Sequence, residues 1–387
     1  MGDVPIDGEC DPRFARVREA FTANFHDHDE IGAALCIRLG DRTVVDLWGG
    51  FADAERTRPW QRGTLVNVYS VGKGILALLV LACAERGDLR LDEPVAARWP
   101  AFAAGDKGAV TLRELLAHRA GLPSVRERLP AGAMLDWGRM CEALAAQTPW
   151  WPPGTAHGYH VNTFGFLVGE VVRRATGKRV GEALRETLTG PLEADFHYGL
   201  PAARHAEVAV VVAPQRTLEG EEQWALAFPP TGDRERDTMV WHAYFNPPGL
   251  SGFGSVNTPG WRLAEIPSTN GHGTARAVAA LYALALSHRP PAPGPGLLAE
   301  ATTIHSDGDD RVLGRPTRFG LGFQLPSPDR PLGPSPRAFG HYGYGGSLGF
   351  ADPEAGLAFG YLMNRPGDRW RTPRTLRLIE AVYACLG

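Results

Sequence analysis

The sequence predicts an α+β protein in which the two chain ends together build one domain and a mostly helical domain is inserted between them. Runs of apolar residues typical of strands occur near both ends of the chain, over 33–39, 43–48, 348–352 and 357–363. Apolar residues at helical spacing dominate the middle. We therefore expect residues 1–80 and 290–387 to form a layered α/β domain, and residues 81–289 the inserted helical domain.

The individual elements follow from local patterns. Residues 13–25 have the spacing of an amphipathic helix, and Gly40-Asp41 between the first two strands indicates a hairpin. A strongly apolar helix is expected over 71–86, ending at Gly87. Further helices are predicted over 111–118, 134–147, 165–176, 180–188, 275–287 and 372–385. A region rich in proline and aromatic residues extends to about 267, and a loop is expected over 289–297 and a strand over 319–325.

Composition excludes several classes of protein. The chain has 387 residues, 40 basic and 43 acidic, a net charge of -3 and a pI near 6.5, which argues against a nucleic-acid binder. No signal-peptide pattern is visible, and the longest apolar run, 75–84, is too short to cross a bilayer. The five cysteines are scattered and predict neither disulfides nor a zinc site. We expect a cytoplasmic protein without a membrane partner or metal.

The first candidate for chemistry is Ser70-Val71-Gly72-Lys73, at the start of the apolar helix. Residues three apart share a helix face, so the two polar side chains can meet, and burial lowers the pKa of a lysine. Ten serines and three lysines give only about 0.08 chance matches to this spacing. The motif predicts a serine nucleophile with a lysine base; the competing interpretation is a surface lysine after a helix-capping serine.

A second serine motif is Gly345-Gly346-Ser347-Leu348-Gly349, which formally matches G-x-S-x-G. A nucleophile elbow requires a strand, a sharp turn and then a helix, with an acid and a histidine later in the chain. The residues after Ser347 indicate strand, turn and strand, and no histidine follows His341. An α/β-hydrolase is therefore not expected.

Four segments resemble those of the serine β-lactamase-like superfamily and follow one another in the same order: Ser70–Lys73, Leu91–Val95, Thr111–Leu122 and Phe339–Phe350. They resemble most of all the family VIII carboxylesterases, which are related to class C β-lactamases. The resemblance runs from about residue 13 to about Asn364. It implies a β-lactamase/transpeptidase-like fold, an antiparallel sheet flanked by helices with the helical domain inserted. The active site would then lie between the two domains.

The resemblance also implies further site residues. Tyr159 occupies the place of the family's second motif, where a tyrosine carries protons together with the lysine; Val161 stands where β-lactamases have an asparagine, and this departure favours an esterase. The family's Lys-Thr-Gly maps onto His341-Tyr342-Gly343. The backbone N–H of Tyr344 would join that of Ser70 in an oxyanion hole. A structural role for Tyr159 as a loop aromatic is the alternative.

Aromatic residues are weaker candidates. Trp151, Trp241 and Tyr244 are candidates for lining an apolar acyl pocket, and structural packing explains them equally well. His118 and His160 are expected to be structural. No histidine pair has the spacing of a metal site, and no cofactor is implied.

These residues lead to a predicted function. We expect a serine carboxylesterase that hydrolyses short- to medium-chain esters through an acyl-enzyme on Ser70, with Lys73 and Tyr159 as proton carriers. An acyltransferase that passes the acyl group to an alcohol, or a weak β-lactamase or amide hydrolase, would use the same site. An inactive binding protein on the same fold is the alternative from another class. The expected partner is a small-molecule ester, and the sequence does not determine the oligomeric state.

Overall fold

Both ends of the chain contribute strands to one antiparallel sheet. The computed structural model describes residues 4–212, 230–328, 330–367 and 371–387. Its strands are β1 (Ile6–Cys10), β2 (Gly32–Leu39), β3 (Arg42–Gly50), β4 (Val66–Asn67), β5 (Phe196–His197), β6 (His272–Gly273), β7 (Ser306–Asp309), β8 (Pro316–Phe319), β9 (Phe339–Tyr342), β10 (Leu348–Asp352) and β11 (Leu357–Met363).

The main sheet has six strands in the order β1-β3-β2-β11-β10-β9. N-terminal β2 pairs with C-terminal β11, from Ala33 opposite Met363 to Leu39 opposite Leu357. Strands from both ends of the chain therefore lie in one sheet. Gly40, at a φ of 54°, turns the chain between β2 and β3, as the predicted hairpin requires. Two small sheets, β4-β6-β5 and β7-β8, lie outside it.

Helices cover both faces of the main sheet. They are α1 (Ala15–Asp27), α2 (Val71–Glu85), α3 (Val95–Arg98), α4 (Leu112–Leu116), α5 (Trp137–Ala146), α6 (Thr163–Thr176), α7 (Val180–Leu184), α8 (Arg234–Phe245), α9 (Pro259–Leu263), α10 (Ala275–Ser287), α11 (Pro295–Ala301) and α12 (Pro373–Leu386). Helices α1 and α12 pack on one face, and α2 and α10 pack on the other. None of the helices within the described residues is long and apolar enough to cross a membrane.

The position of α10 bears on the predicted domain boundaries. The range 81–289 places this helix in the helical domain, yet it packs on strands β2, β10 and β11. The approach is close, since a Cβ added at Gly360 would lie 2.3 Å from the carbonyl oxygen of Ala275. The two-domain division and its boundaries remain a prediction.

Helix α2 runs through the middle of the molecule. Every residue from Val71 to Cys83 is buried, as expected for a helix that is apolar on all sides. Gly72 and Gly74 admit close neighbours, because a Cβ would lie 2.6 Å from the carbonyl oxygen of Pro267 at the first and 2.2 Å from the hydroxyl of Tyr282 at the second. The helix start is therefore held on two sides.

Two predicted regions differ from the structure. The region rich in proline and aromatic residues, for which no element was predicted, contains α8. This helix follows the capping residue Asp233, whose carboxylate accepts the N–H groups of Glu235 and Arg236. Its first turn is polar, so it lacks the apolar spacing that would have predicted a helix. The strand expected over 319–325 is also misplaced, because β8 ends at Phe319.

Candidate active site

The candidate nucleophile stands at a sharp turn between strand and helix. Strand β4 runs beside β6, and three residues later Ser70 begins α2. Tyr69, just before it, has a φ of 50°, a left-handed conformation that is uncommon for a residue with a side chain. Ser70 is half-buried and sits where unpaired helical N–H groups favour negative charge.

Lys73 is fully buried and its amine has three hydrogen-bond acceptors. The Nζ atom lies 3.1 Å from Oγ of Ser70, 2.9 Å from the carbonyl oxygen of Ser268 and 2.5 Å from that of Val161. Burial lowers the pKa of Lys73 well below its ordinary value. A neutral amine donates to the two carbonyls and keeps a lone pair toward Ser70. The geometry therefore allows the amine to take the serine proton.

Tyr159 lies on the other side of this pair. Its side chain is fully buried, its ring centroid is 4.8 Å from Nζ of Lys73, and its ring stacks on Phe319 at 5.8 Å. Burial raises the pKa of Tyr159 well above its ordinary value, and a hydrogen bond with Ser70 acts in the opposite direction. The structure thus brings Ser70, Lys73 and Tyr159 together.

Three consecutive backbone N–H groups hold the segment that carries Tyr159. The N–H of Gly158 donates to the carbonyl of His118, that of Tyr159 to the carboxylate of Asp310, and that of His160 to Nδ1 of His118. Because Nδ1 of His118 accepts, this ring is neutral, in accord with a pKa lowered well below its usual value by burial. His118 and His160 therefore position the segment, as expected from the sequence.

Asparagine does not contact the lysine in this site. The amide of Asn162 donates to the carbonyl of Ala243 and to Oγ of Ser251, and its oxygen accepts from Thr269. Lys73 uses the backbone carbonyl of Val161 instead. At the place of the β-lactamase asparagine, Val161 thus contacts the lysine through its main chain.

The third predicted segment lies on β9. His341 is fully buried, its Nδ1 is 2.7 Å from the carbonyl oxygen of Tyr342, and burial lowers its pKa to about 3. It is neutral at pH 7. Gly343 is required where it stands, since a Cβ would lie 2.2 Å from Oγ of Ser347 and 2.5 Å from the carbonyl oxygen of Val68.

Ser347, the serine of the second motif, is a packing residue. Its side chain is 1% exposed, and its hydroxyl donates to the carbonyl of Val68 at 3.2 Å. This contact supports the turn that precedes Ser70. Ser347 itself has no base in contact with it among the described hydrogen bonds.

A row of aromatic side chains, half-buried except for the buried Tyr69, leads from α8 to the end of β9, and we call it the aromatic row. Neighbouring ring centroids are 5.4 to 5.9 Å apart along the series Trp241, Phe245, Phe253, Tyr344 and Tyr69. It ends beside Ser70. Phe253 was not predicted, because it follows Gly252 in a segment without regular structure.

The other predicted pocket residues occupy different surroundings. Trp151 is 3% exposed, its indole N–H donates to the carbonyl of Ala156, and it packs under Gly158. It supports the Tyr159 segment, and it also lines a cavity together with Trp150 and Met239. The acyl-pocket role expected for Trp151 stays a prediction. Tyr244 is half-buried, and burial raises its pKa.

Nothing in the described residues provides a metal centre. No group of three His, Cys, Asp or Glu side chains lies close enough together there to hold a metal ion. The chemical groups that converge are therefore a hydroxyl, an amine and a phenol. Such a set moves protons and presents a nucleophile.

Comparison with known proteins supports the resemblance. Residues 17–384 match the β-lactamase family model. The chain is 34% identical over 376 residues to the esterase/β-lactamase LipL of Mycobacterium tuberculosis (strain ATCC 25618 / H37Rv), covering 92% of this chain and 82% of that one. A family VIII carboxylesterase structure superposes with a TM-score of 0.87 at 39% identity, over 98% of this chain and all (100%) of that one.

A penicillin-binding protein homolog from Caulobacter crescentus is equally similar in structure. It superposes with a TM-score of 0.88 at 39% identity, over 98% of this chain and 100% of that chain. The β-lactamase/transpeptidase-like fold expected from the sequence is thereby confirmed, and so is the resemblance itself. The chain belongs to the β-lactamase family, and it is a serine hydrolase.

Proposed function

We propose that the protein is a carboxylesterase that hydrolyses short- to medium-chain esters through an acyl-enzyme on Ser70. The observation that carries the proposal is the buried amine of Lys73, 3.1 Å from the serine hydroxyl and with its pKa lowered by burial. The relatives named as esterases support the same activity.

In the first half-reaction Ser70 attacks the ester carbonyl carbon. Lys73 and Tyr159 together accept the serine proton as the new C–O bond forms, and the carbonyl oxygen becomes an oxyanion. The backbone N–H groups of Ser70 and Tyr344 would stabilise that charge. When the bond to the leaving alkoxide breaks, Tyr159 supplies its proton and the alcohol departs.

The second half-reaction reverses these roles. Water attacks the acyl carbon, and the same pair takes one of its protons. The tetrahedral intermediate then collapses, the proton returns to Ser70, and the carboxylic acid leaves. The pair shares its protons, so the two steps titrate with apparent pKa values that belong to both residues.

Two observations favour an uncharged apolar ester over a β-lactam. His341, in the place of the family's motif lysine, is neutral at pH 7, so this strand offers no fixed cation for a substrate carboxylate at that position. The aromatic row presents apolar surface beside Ser70. We propose that this row, including Trp241, contacts the acyl chain.

Hydrolysis of p-nitrophenyl butyrate by the wild type and Ser70→Ala tests the assignment. Loss of the nucleophile is expected to lower kcat about 10⁶-fold. Ser287→Ala, the same change at the distant end of α10, is the matched control and should keep wild-type turnover. Full activity in Ser70→Ala would reject the mechanism, and a preference for nitrocefin over esters would reject the substrate class.

Covalent labelling separates the two serine motifs, and product analysis separates hydrolysis from transfer. A fluorophosphonate should add its mass to the wild type and to Ser347→Ala but not to Ser70→Ala.

With added alcohols, free acid as the main product supports hydrolysis, and a new ester supports an acyltransferase.

We also propose a reducing, cytoplasmic location. All five cysteines lie in the described part of the chain and all are free thiols, and burial raises the pKa of Cys36, Cys83 and Cys141. Cell fractionation of the source organism tests this proposal.

A further inference from the structure

A buried carboxylate outside the predicted motifs holds the backbone of Tyr159. Asp310 is 2% exposed, and its Oδ1 accepts N–H groups from Tyr159 at 3.1 Å, Val312 at 2.9 Å and Leu313 at 2.8 Å. Its Oδ2 accepts the same Tyr159 N–H at 3.0 Å and the hydroxyl of Thr317 at 3.0 Å. Burial raises the pKa of Asp310, and the hydrogen bonds from these backbone N–H groups act in the opposite direction. Every one of these partners is a donor, which favours the ionised carboxylate.

The carboxylate comes from a distant part of the chain. Asp310 stands in the turn between β7 and β8, 151 residues after Tyr159. The turn wraps two of its own N–H groups around the carboxylate, and its backbone is closed by the N–H of Asp310 donating to the carbonyl of Arg315. The turn thus builds a charged acceptor and directs it at the Tyr159 segment.

A histidine extends this network. Nε2 of His157 lies 2.9 Å from Oγ1 of Thr317. Because the Thr317 hydroxyl gives its proton to Asp310, Nε2 of His157 must be the donor in this contact. The chain of donation runs from His157 through Thr317 to Asp310, so the side chain of His157 and the backbone of Tyr159 are both tied to one carboxylate.

A neutral acceptor would be sufficient if the only task were to hold the backbone. The neighbouring N–H groups of Gly158 and His160 are bound by a carbonyl and a neutral ring nitrogen of His118. Among these three N–H groups, only that of the middle residue, Tyr159, whose phenol lies at Ser70, is bound by a carboxylate. A buried charge costs free energy, so its presence there calls for a role beyond backbone support.

We propose that Asp310 is a positioning residue for Tyr159, whose backbone it holds so that the phenol stays at Ser70 and whose phenol it keeps protonated through its negative charge. The proposal rests on the proposed function of Tyr159. Burial is the largest cause of the raised pKa of Tyr159; Tyr244 and the negative charge of Asp310 raise it further, whereas the hydrogen bond with Ser70 and the charge of Arg315 lower it. A protonated phenol is the form that can donate to the leaving alkoxide.

The test is Asp310→Asn, which preserves shape and removes the charge. We expect kcat for p-nitrophenyl butyrate to fall about 10-fold to 100-fold with KM within about twofold. The alkaline limb of the kcat profile should move to lower pH, because removal of the negative charge lowers the pKa of Tyr159. Charged or titratable groups facing this network are Tyr244, Arg315, Lys73 and His118, together with His157 and its neighbours Arg119, Asp307 and Asp309, and none of them is changed in the variant. Asp41→Asn, the same change at an exposed residue in the turn between β2 and β3, is the matched control and should match the wild type.

A double-mutant cycle distinguishes positioning from general support. If Asp310 acts through Tyr159, Asp310→Asn lowers kcat in the wild type but not further in Tyr159→Phe. Equal losses in both backgrounds, or an unmoved alkaline limb, would overturn the proposal. Should Asp310→Asn fail to fold, Thr317→Val removes the hydroxyl that anchors Oδ2, and the same cycle applies with a several-fold loss expected. Full activity in Tyr159→Phe alone would instead refute the proposed function.

Discussion

The chain contains two completely buried lysines, and their surroundings are similar at first sight. Lys73 and Lys107 are both 0% exposed, and each directs its amine at three hydrogen-bond acceptors. Each amine also lies near an aromatic ring, 4.8 Å from the centroid of Tyr159 and 5.4 Å from that of Phe102. Burial lowers the pKa of both.

The third acceptor separates the two sites. Lys107 binds only carbonyl oxygens, those of Ala104, Ala145 and Gln147, at the end of α5. A neutral amine has only two N–H groups, so its lone pair would face one of these three carbonyl oxygens. The ammonium form has three N–H groups and can donate to all three, so the site favours that form. At Lys73 the third partner is a hydroxyl, which can give its proton to the amine. Burial of a lysine is therefore not by itself evidence of a catalytic role, because the hydrogen-bond partners of the amine determine what it can do.

Replacing each lysine by methionine sharpens the comparison, and Lys73→Met should have the largest effect. Removing the base is expected to lower kcat/KM for p-nitrophenyl butyrate about 10⁴-fold. The rate of single-turnover acylation checks this, with the folded fraction of each variant determined by circular dichroism. The exposed Lys178, which pairs with Glu186, provides the matched control Lys178→Met. A loss below tenfold in Lys73→Met would remove the lysine from the mechanism.

The dependence of kcat/KM on pH should be set by the protonation of Lys73 and not by that of Lys107. Its amine must be neutral to accept a proton, so kcat/KM is expected to fall about tenfold per pH unit below its lowered pKa. Burial lowers the pKa of His160 to about 4 and that of His341 to about 3, so these rings do not produce a limb above pH 5. Profiles of the wild type and Lys107→Met should coincide, and a limb that vanished in Lys107→Met would contradict the comparison.

Lys107→Met should leave turnover nearly unchanged and act on stability instead. Three buried carbonyl oxygens lose their donor, and we expect the free energy of unfolding to fall by about 2–4 kcal/mol. Urea denaturation measures this, with Lys178→Met expected to resemble the wild type. Catalytic loss in Lys107→Met without loss of stability would argue that the two buried lysines are not different in kind.

The sequence predicted those parts of the structure whose cause is local. Strand β11 and helix α2 follow from the apolar pattern of their own residues, and the Ser70–Lys73 contact follows from helical spacing. Asp310 carries no such signal, because its meaning depends on Tyr159, 151 residues away. The same holds for the carbonyl partners of Lys107 and for Phe253, which only the folded chain brings to their places.

The pairing of β2 with β11 has a practical consequence. Helices α1 and α12, at the two ends of the chain, pack side by side on the sheet face opposite α2, tied by the ion pair between Glu30 and Arg374 at 2.7 Å. An affinity tag or a surface linker fused after α12 would therefore start behind the sheet, on the face opposite α2. Immobilised on a bead in this way, the enzyme would keep the face that carries α2 and Ser70 directed away from the bead.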